Sequence, residues 1–178
     1  MNDNEQIILF RQVLSDGLAA LGAPAIPIVQ FNQPTIQGTF SEPCYYFSKL
    51  SDKRIAFSGY SYNKISQSSG TVTQVQRYET GWQVMAIAKQ TPGNISERTA
   101  GDWVTMAADI LNSDPAINAF HESNAAILCI KDIRSPVFLD DNDEFMFTPS
   151  FDFYLIHNKS YVRNSEFIDQ ITANPEQV

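Results

Sequence analysis

Residues 145–155 constrain the fold more than any other segment, because apolar and polar side chains alternate strictly along them. A period of two is typical of a β-strand with one buried face. Four phenylalanines on one side of a strand need a thick apolar layer opposite. Pro149 has no backbone N–H to donate, so we expect a bulge or an edge position there. The positions predicted to share the buried face are Phe145, Phe147, Pro149, Phe151, Phe153 and Leu155.

A first amphipathic helix is predicted over residues 4–21, where apolar residues recur at three- and four-residue spacing. Asp3 followed by Gln6 resembles a capping box at its start. Gly22 and Pro24 would end it, because glycine tolerates a left-handed φ and proline lacks a donor. The apolar stripe consists of Ile7, Phe10, Leu14, Leu18 and Leu21.

A second helix is predicted from near Ser96 to about Asn112, and residues 115–120 suggest a further short helical turn. Two helices of this kind would supply the layer that the alternating strand needs. The buried stripe of the second helix consists of Trp103, Ala107, Ile110 and Leu111.

The remaining strand-like segments predict the rest of the sheet. Residues 44–50 and 53–60 are rich in aromatic residues, and the Ser-Asp between them allows either a hairpin or one continuous bent strand. The clearest hairpin spans residues 72–89, with a turn at 79–81 in which Gly81 would take a positive φ. Further strand-like segments are 26–31 and 125–133, the latter apolar enough for the centre of a sheet.

These elements predict an α+β fold with a mainly antiparallel sheet and two helices packed on one face. No repeat and no long linker divides the chain. We therefore expect one domain over residues 1–160, followed by a C-terminal arm over residues 161–178.

The composition disfavours several classes of partner. The formal net charge is −8, and the 12 lysines and arginines form no run. Nucleic acid and anionic membranes both require clustered positive charge. No apolar run approaches the ~20 residues of a membrane span, and the N-terminus lacks the features of a signal peptide. We expect a cytosolic protein in which Cys44 and Cys129 are core thiols.

No residue pattern indicates catalysis or cofactor binding. His121 and His157 have no partner at a metal-ligand spacing, so each is interpreted as a surface or structural histidine. Cys129 lies between apolar residues, where a nucleophile would be buried. Phosphate-binding glycine loops, nucleophile elbows and paired-cysteine motifs are missing from the sequence. The sequence predicts no catalytic, cofactor-binding or metal-binding residue and favours a protein that is not an enzyme.

The acidic run at residues 140–144 is the pattern closest to a metal site. Oxygen-rich runs of this kind can hold Ca²⁺. However, Phe145 stands where an EF-hand loop needs glycine, and no flanking helices are indicated. We interpret the run as a solvated turn between two strands.

With its elements in this order, the chain resembles the neck or tail terminator proteins of long-tailed bacteriophages. The resemblance spans roughly residues 5–160. It is carried by the segments 30–34 (QFNQP), 44–47 (CYYF), 79–84 (ETGWQV) and the Phe-rich strand at 146–157.

The resemblance implies a structural virion protein without catalytic residues. It would form a ring, commonly of six subunits, that caps the tail tube and joins it to the head-side connector, with the sheath as a further possible partner. DNA would pass through the lumen without specific binding, because an acidic lumen repels phosphate. The protein would be assembled in the host cytoplasm and located in the virion tail or neck, with no cofactor and no membrane partner.

Residues 61–71 are interpreted as an exposed loop or a hairpin tip. They and the C-terminal arm are polar segments with isolated apolar residues, as expected of segments that become ordered on contact. The alternative is a loop and a tail that touch nothing. Alternative functions are a head–tail connector adaptor, a contractile injection apparatus component, or a small ligand-binding domain or enzyme. The candidate contacts with a neighbouring subunit or partner are Tyr62, Lys64, Ile65, Tyr161, Arg163, Phe167 and Ile168.

Overall fold

The computed structural model describes residues 1–31, 43–65, 69–88, 94–139 and 145–166; for 137–139, 145–147 and 165–166 it describes the backbone alone. In chain order the elements are α1 (Asp3–Ala20), β1 (Ile28–Gln30), β2 (Cys44–Lys64), β3 (Ser69–Ile87), α2 (Ala100–Leu111), α3 (Asp114–Glu122), β4 (Ala125–Ile130), β5 (Val137–Leu139), β6 (Phe145–Phe147) and β7 (Ser150–Glu166).

The main sheet has five strands in the order β1-β2-β3-β7-β4. Only the β1–β2 pair is parallel, and the other pairs are antiparallel. β5 and β6 form a separate two-stranded sheet. β2, β3 and β7 have 21, 19 and 17 residues, about three times the usual strand length. They therefore extend beyond the area that the helices cover.

The core lies between one face of this sheet and the helices. Phe10 of α1 packs on Phe47 and Phe153 at ring-centroid distances of 4.8 and 5.4 Å. Trp103 of α2 meets the ring of Tyr45 edge-on, and the Tyr45 hydroxyl donates to the Trp103 carbonyl at 2.6 Å. The predicted α+β fold is confirmed. The short helical turn predicted after α2 is a third helix, α3.

The helix starts differ from the sequence-based prediction. Asn2, not Asp3, caps α1, and it forms a capping box with Glu5. Gln6 is instead buried. Thr99 caps α2, because its hydroxyl accepts from the Asp102 N–H. The helix therefore begins at Ala100, four residues after the predicted start near Ser96.

The predicted hairpin at residues 72–89 is wrong, because residues 72–87 all belong to one continuous strand, β3. Gly81 lies in the middle of β3, paired with Ser51 and Tyr154. A Cβ at this position would lie 2.9 Å from Ser51 Oγ and 3.3 Å from the Tyr154 ring. The glycine is therefore needed for space between three strands rather than for a turn.

Residues 44–60 form the continuous bent strand, one of the two alternatives left open by the sequence. β2 bends at register shifts between Lys49 and Ser51 and between Ile55 and Gly59. The segment predicted as a central strand, β4, instead lies at the edge of the sheet.

The alternating segment at 145–155 is two strands rather than one. Residues 145–147 pair with β5, and β7 begins at Ser150, directly after Pro149. The side chains of Phe151, Phe153 and Leu155 are buried on the helix side, as predicted. The side chains of residues 145–147 and the acidic run at 140–144 lie outside the described residues.

Of the segment predicted as an exposed loop or a hairpin tip, residues 61–64 and 69–71 belong to the antiparallel strands β2 and β3, which is the hairpin alternative. β2 continues to Lys64, and β3 begins at Ser69. The N–H of Ile65 donates to the Ser69 carbonyl at 3.0 Å, beyond the last paired residues of the two strands. The predicted C-terminal arm starts as strand, because residues 161–166 belong to β7; residues 167–178, including Phe167 and Ile168, lie outside the described part.

Candidate interaction surface

Three strands project from the body of the protein as one paired unit. We call this unit the β-extension; it consists of residues 53–64 of β2, 69–79 of β3 and 158–166 of β7. β3 lies in the middle, hydrogen-bonded to the other two strands along its length. From residue 158 to residue 166 the strand rises roughly 30 Å. The β-extension is therefore comparable in length to the body of a small domain.

The register brings most of the predicted interface residues together at the tip. Tyr62 lies opposite Val72, which lies opposite Arg163. Tyr161 lies two residues before Arg163 on β7, towards the body, and Lys64 lies two residues after Tyr62 on β2, towards the tip. Because paired residues project from the same face, these side chains share one face.

Large apolar side chains are exposed at this tip. The exposed fraction is 66% for Tyr62, 68% for Ile65 and 55% for Tyr161. Two further residues, Tyr60 and Val162, are as exposed but were missed by sequence reasoning. The alternation of Tyr60 and Tyr62 was the available signal, and it was overlooked because the surrounding serines and asparagines suggested a loop.

The exposed face is a continuation of the core face of the sheet. Along β3, every second residue from the core to the tip projects from the same side, and β3 and β7 pair without a register shift. The helices cover this face as far as Thr80 and His157. Beyond them, Tyr78 and Val72 are buried, and Arg54 and Lys159 of the flanking strands lie over the Tyr78 ring. The tip thus presents an apolar sheet face with no layer above it among the described residues.

Charge is segregated between the β-extension and the rest of the chain. The β-extension contains six of the 12 lysines and arginines and two of the 20 acidic residues. Its formal charge is +4, against −8 for the whole chain, so the remainder has a charge of −12. Lys64 and Arg163 are exposed. Neither forms an ion pair with any side chain in the described part of the molecule.

A buried polar network joins α1 to the base of the β-extension. The side-chain amide of Gln6 accepts from Trp82 Nε1 at 3.1 Å, and its Nε2 lies 3.1 Å from His157 Nε2. Thr80 Oγ1 lies 2.9 Å from the same His157 nitrogen and donates to Asp52 at 2.6 Å. The Gln6 amide nitrogen can only donate to His157 Nε2, whereas Thr80, having given its proton to Asp52, can only accept from it, so the tautomer of His157 decides which of the two contacts is a hydrogen bond.

Burial keeps His157 in its neutral form. It is 1% exposed, and burial lowers its pKa to about 4, helped by the positive N-terminus and Lys159. Its Nδ1 has no hydrogen-bond partner among the described residues. The sequence left two interpretations of His157 open, a surface histidine or a structural one. Its burial makes it a structural histidine. Its partners come from elements far apart in the chain, so spacing could not reveal them.

An ion cluster lies beside this network and fixes the start of α1. Lys49 Nζ lies 2.9 Å from Asp3 and 2.5 Å from Asp52, and Lys159 Nζ lies within 3.8 Å of both carboxylates. Burial alone would raise the pKa of Asp52, but hydrogen bonds from Lys49 and Thr80 lower it. The ammonium of Met1 donates to a main-chain carbonyl of β7 at 2.6 Å. The base of the β-extension is thus held from several directions.

The described residues offer no arrangement typical of a metal site or a membrane anchor. No group of three or more histidine, cysteine or acidic side chains among them is placed to hold a metal ion. None of the described helices is long and apolar enough to cross a membrane. Cys44 and Cys129 are free thiols, the first buried and the second half-buried. His121 is exposed at the end of α3.

Comparison with known proteins gives one family match and a set of structural matches. A family model described as the E217 gateway protein gp29 matches residues 5–167. Among the solved structures, a sheath/tube terminator of an extracellular contractile injection system, PVC, in the extended state, matches with 9% identity and a TM-score of 0.44. That match covers 97% of this chain and 64% of the other. No curated protein matches the chain.

The matched residues include α1 from Glu5 onwards and the whole five-stranded sheet. They also include six of the seven interface residues predicted from the sequence, and Ile168 lies just beyond them. It confirms the kind of family that the resemblance implied. The chain belongs to the family of the E217 gateway protein gp29, which is a family of structural phage tail and neck proteins.

Proposed function

We propose that the protein forms a ring of six subunits that caps the phage tail tube and joins it to the head-side connector. Its partners are other copies of itself, the tail tube protein, the connector and, in a contractile tail, the sheath. DNA passes through the lumen without specific binding. The protein acts without catalytic groups and takes its place in the virion after assembly in the host cytoplasm.

The β-extension is the observation that carries this proposal. Its outer strands have free backbone edges, because β1 pairs only with residues 45–47 of β2 and β4 only with residues 153–157 of β7, within the described ranges. Free edges and an exposed apolar tip are liabilities for an isolated protein. Contact with neighbouring subunits covers both, and a closed ring covers them in every copy.

The charge distribution supports the passage of DNA. With a charge of −12 outside the β-extension, the body repels phosphate, so a lumen lined by the body lets the duplex slide. The same argument requires the basic β-extension to lie away from the lumen. It is therefore directed towards protein partners.

The proposal is tested by the mass of the purified protein, alone and after incubation with isolated tail tubes. Native mass spectrometry should give six times the subunit mass of 20.0 kDa, in free solution or on tubes. Tubes stripped of their ends serve as the control for attachment. A protein that remains a monomer under both conditions, up to millimolar concentration, contradicts the ring.

A further inference from the structure

A groove between the three helices is an apolar feature that the β-extension does not explain. It has a volume of about 440 Å³ and lies where the second half of α1 meets α2 and the start of α3. Its floor is formed where Gly17 approaches Ile110 so closely that a Cβ would lie 2.3 Å from Ile110 Cγ2. The apolar lining includes Leu9, Val13, Ala116 and Ala119.

Two carboxylates flank this apolar lining. Asp16 is exposed and accepts two hydrogen bonds of 2.9 Å from the Gln12 amide. Asp109 is exposed and forms no ion pair with any described side chain. The groove therefore suits an occupant that combines apolar or aromatic side chains with positive charge.

The tip of the β-extension has this composition. Tyr62 and Ile65 supply exposed apolar surface, and Lys64 and Arg163 supply exposed positive charge without an internal partner in the described part of the chain. The acidic groove and the basic tip are thus complementary in both charge and apolarity, as expected of two surfaces that select each other.

The two surfaces lie at opposite ends of the molecule. α1 begins at the base of the β-extension, where Met1 contacts the main chain of residue 158. It then runs back over the core, past Phe47 and Phe153, for about 27 Å in all. The groove lies at the far end of this helix, and the β-extension projects in the other direction. The tip cannot reach the groove of its own chain.

We propose that the tip of the β-extension of one subunit occupies the helical groove of the next, with Lys64 and Arg163 paired to Asp16 and Asp109. The inference rests on the proposed ring and names the contact that closes it. Because the two surfaces differ, the contact is heterologous, and repetition of a heterologous contact generates a ring or a filament.

Charge reversal tests this contact without disturbing the core. The tip variant is K64E/R163E and the groove variant is D16K/D109K; all four residues are exposed. R77E and D132K, reversals at exposed positions elsewhere on the β-extension and the body, are the matched controls. Association is measured by sedimentation velocity and native mass spectrometry, with isolated tail tubes present.

Each double variant alone should associate about a hundredfold more weakly than the wild type, because like charges then face each other. The controls should associate normally. A one-to-one mixture of the tip and groove variants should recover the assembly, because every contact then joins opposite charges. The recovered assembly should contain the two variants in equal number, alternating around an even-numbered ring.

The outcomes separate this inference from the ring itself. If the wild type and both double variants associate equally, the tip-to-groove contact is overturned and the ring stands. If the wild type never associates, with or without tubes, the ring fails and the contact with it. Binding to a short DNA duplex is measured by fluorescence anisotropy on the same samples. Loss of DNA binding by the tip variant with normal assembly would overturn the contact and assign the tip to DNA.

Discussion

Acidification should destabilise the fold through His157. The neutral imidazole is buried between α1, β3 and β7, and its pKa is lowered to about 4, whereas an unfolded chain has the ordinary value of about 6.5. Between these two values the unfolded state binds the proton and the folded state does not. Stability is therefore fully present above about pH 6.5 and is lost as the pH falls towards 4.

The size of the effect follows from the difference between the two pKa values. One pKa unit corresponds to about 1.4 kcal/mol, so the full window corresponds to about 3 kcal/mol in the free energy of unfolding. That is a large part of the roughly 5–15 kcal/mol that stabilises a domain. The pKa of Asp52 is also lowered, so its protonation destabilises the fold in the same direction as that of His157. That loss begins only below the ordinary aspartate pKa of about 4, beneath this window.

The assay is urea unfolding followed by tryptophan fluorescence, at steps of about half a pH unit from 7.5 to 4.5. His157→Gln keeps a polar side chain of similar length and should lose most of the pH dependence between about pH 6.5 and 5. The exposed His121 provides the control, and His121→Gln should leave the pH profile unchanged. An equal pH profile for His157→Gln and the wild type would refute the reasoning.

Three further changes test the packing by urea unfolding or thermal melting. Phe151→Ala should cost about 3–5 kcal/mol, because it removes a fully buried ring and leaves a cavity, whereas the exposed Phe57 should tolerate alanine. Gly81→Val should cost about 1–3 kcal/mol by overpacking, whereas Gly59→Val should be nearly neutral, since the nearest atom to its Cβ is 3.9 Å away. Truncation after Glu166 should leave the melting temperature unchanged but should weaken assembly if Phe167 and Ile168 contribute contacts; equal assembly would remove them from the interface.

The buried face of β7 and the stripe of α1 were predictable from the sequence, because burial on one side imposes a period on the residues. Phe151, Phe153 and Leu155 are buried, as are Phe10, Leu14 and Leu18. Leu21, predicted in the same stripe, is exposed because α1 ends at Ala20. Apolar residues in these positions leave the chain little choice of conformation. Where one face meets a core, the amino-acid pattern and the structure therefore agree.

The β-extension was not predictable in the same way, because its strands are held mainly by backbone hydrogen bonds. Serines, threonines and asparagines along residues 61–71 allow a loop as well as a hairpin tip when taken locally, and only the pairing of β3 with strands on both sides decides between them. Strand propensity depends strongly on such context. Similarly, Gly81 resembles a turn residue only until its neighbours across the sheet are known.

The formed state of the β-extension changes how its contacts would stabilise an assembly. The sequence suggested segments that become ordered on contact, and ordering of that kind reduces the affinity gained from a given area. Instead, Tyr62, Lys64 and Arg163 lie on strands that are already paired, and β3 and β7 continue from the core to the tip without a register shift. The buried network around His157 and the ion cluster at Asp3 hold the base. The backbone entropy of the tip is therefore lost on folding and not on assembly, so a small contact at the end of a long β-extension retains most of its binding free energy.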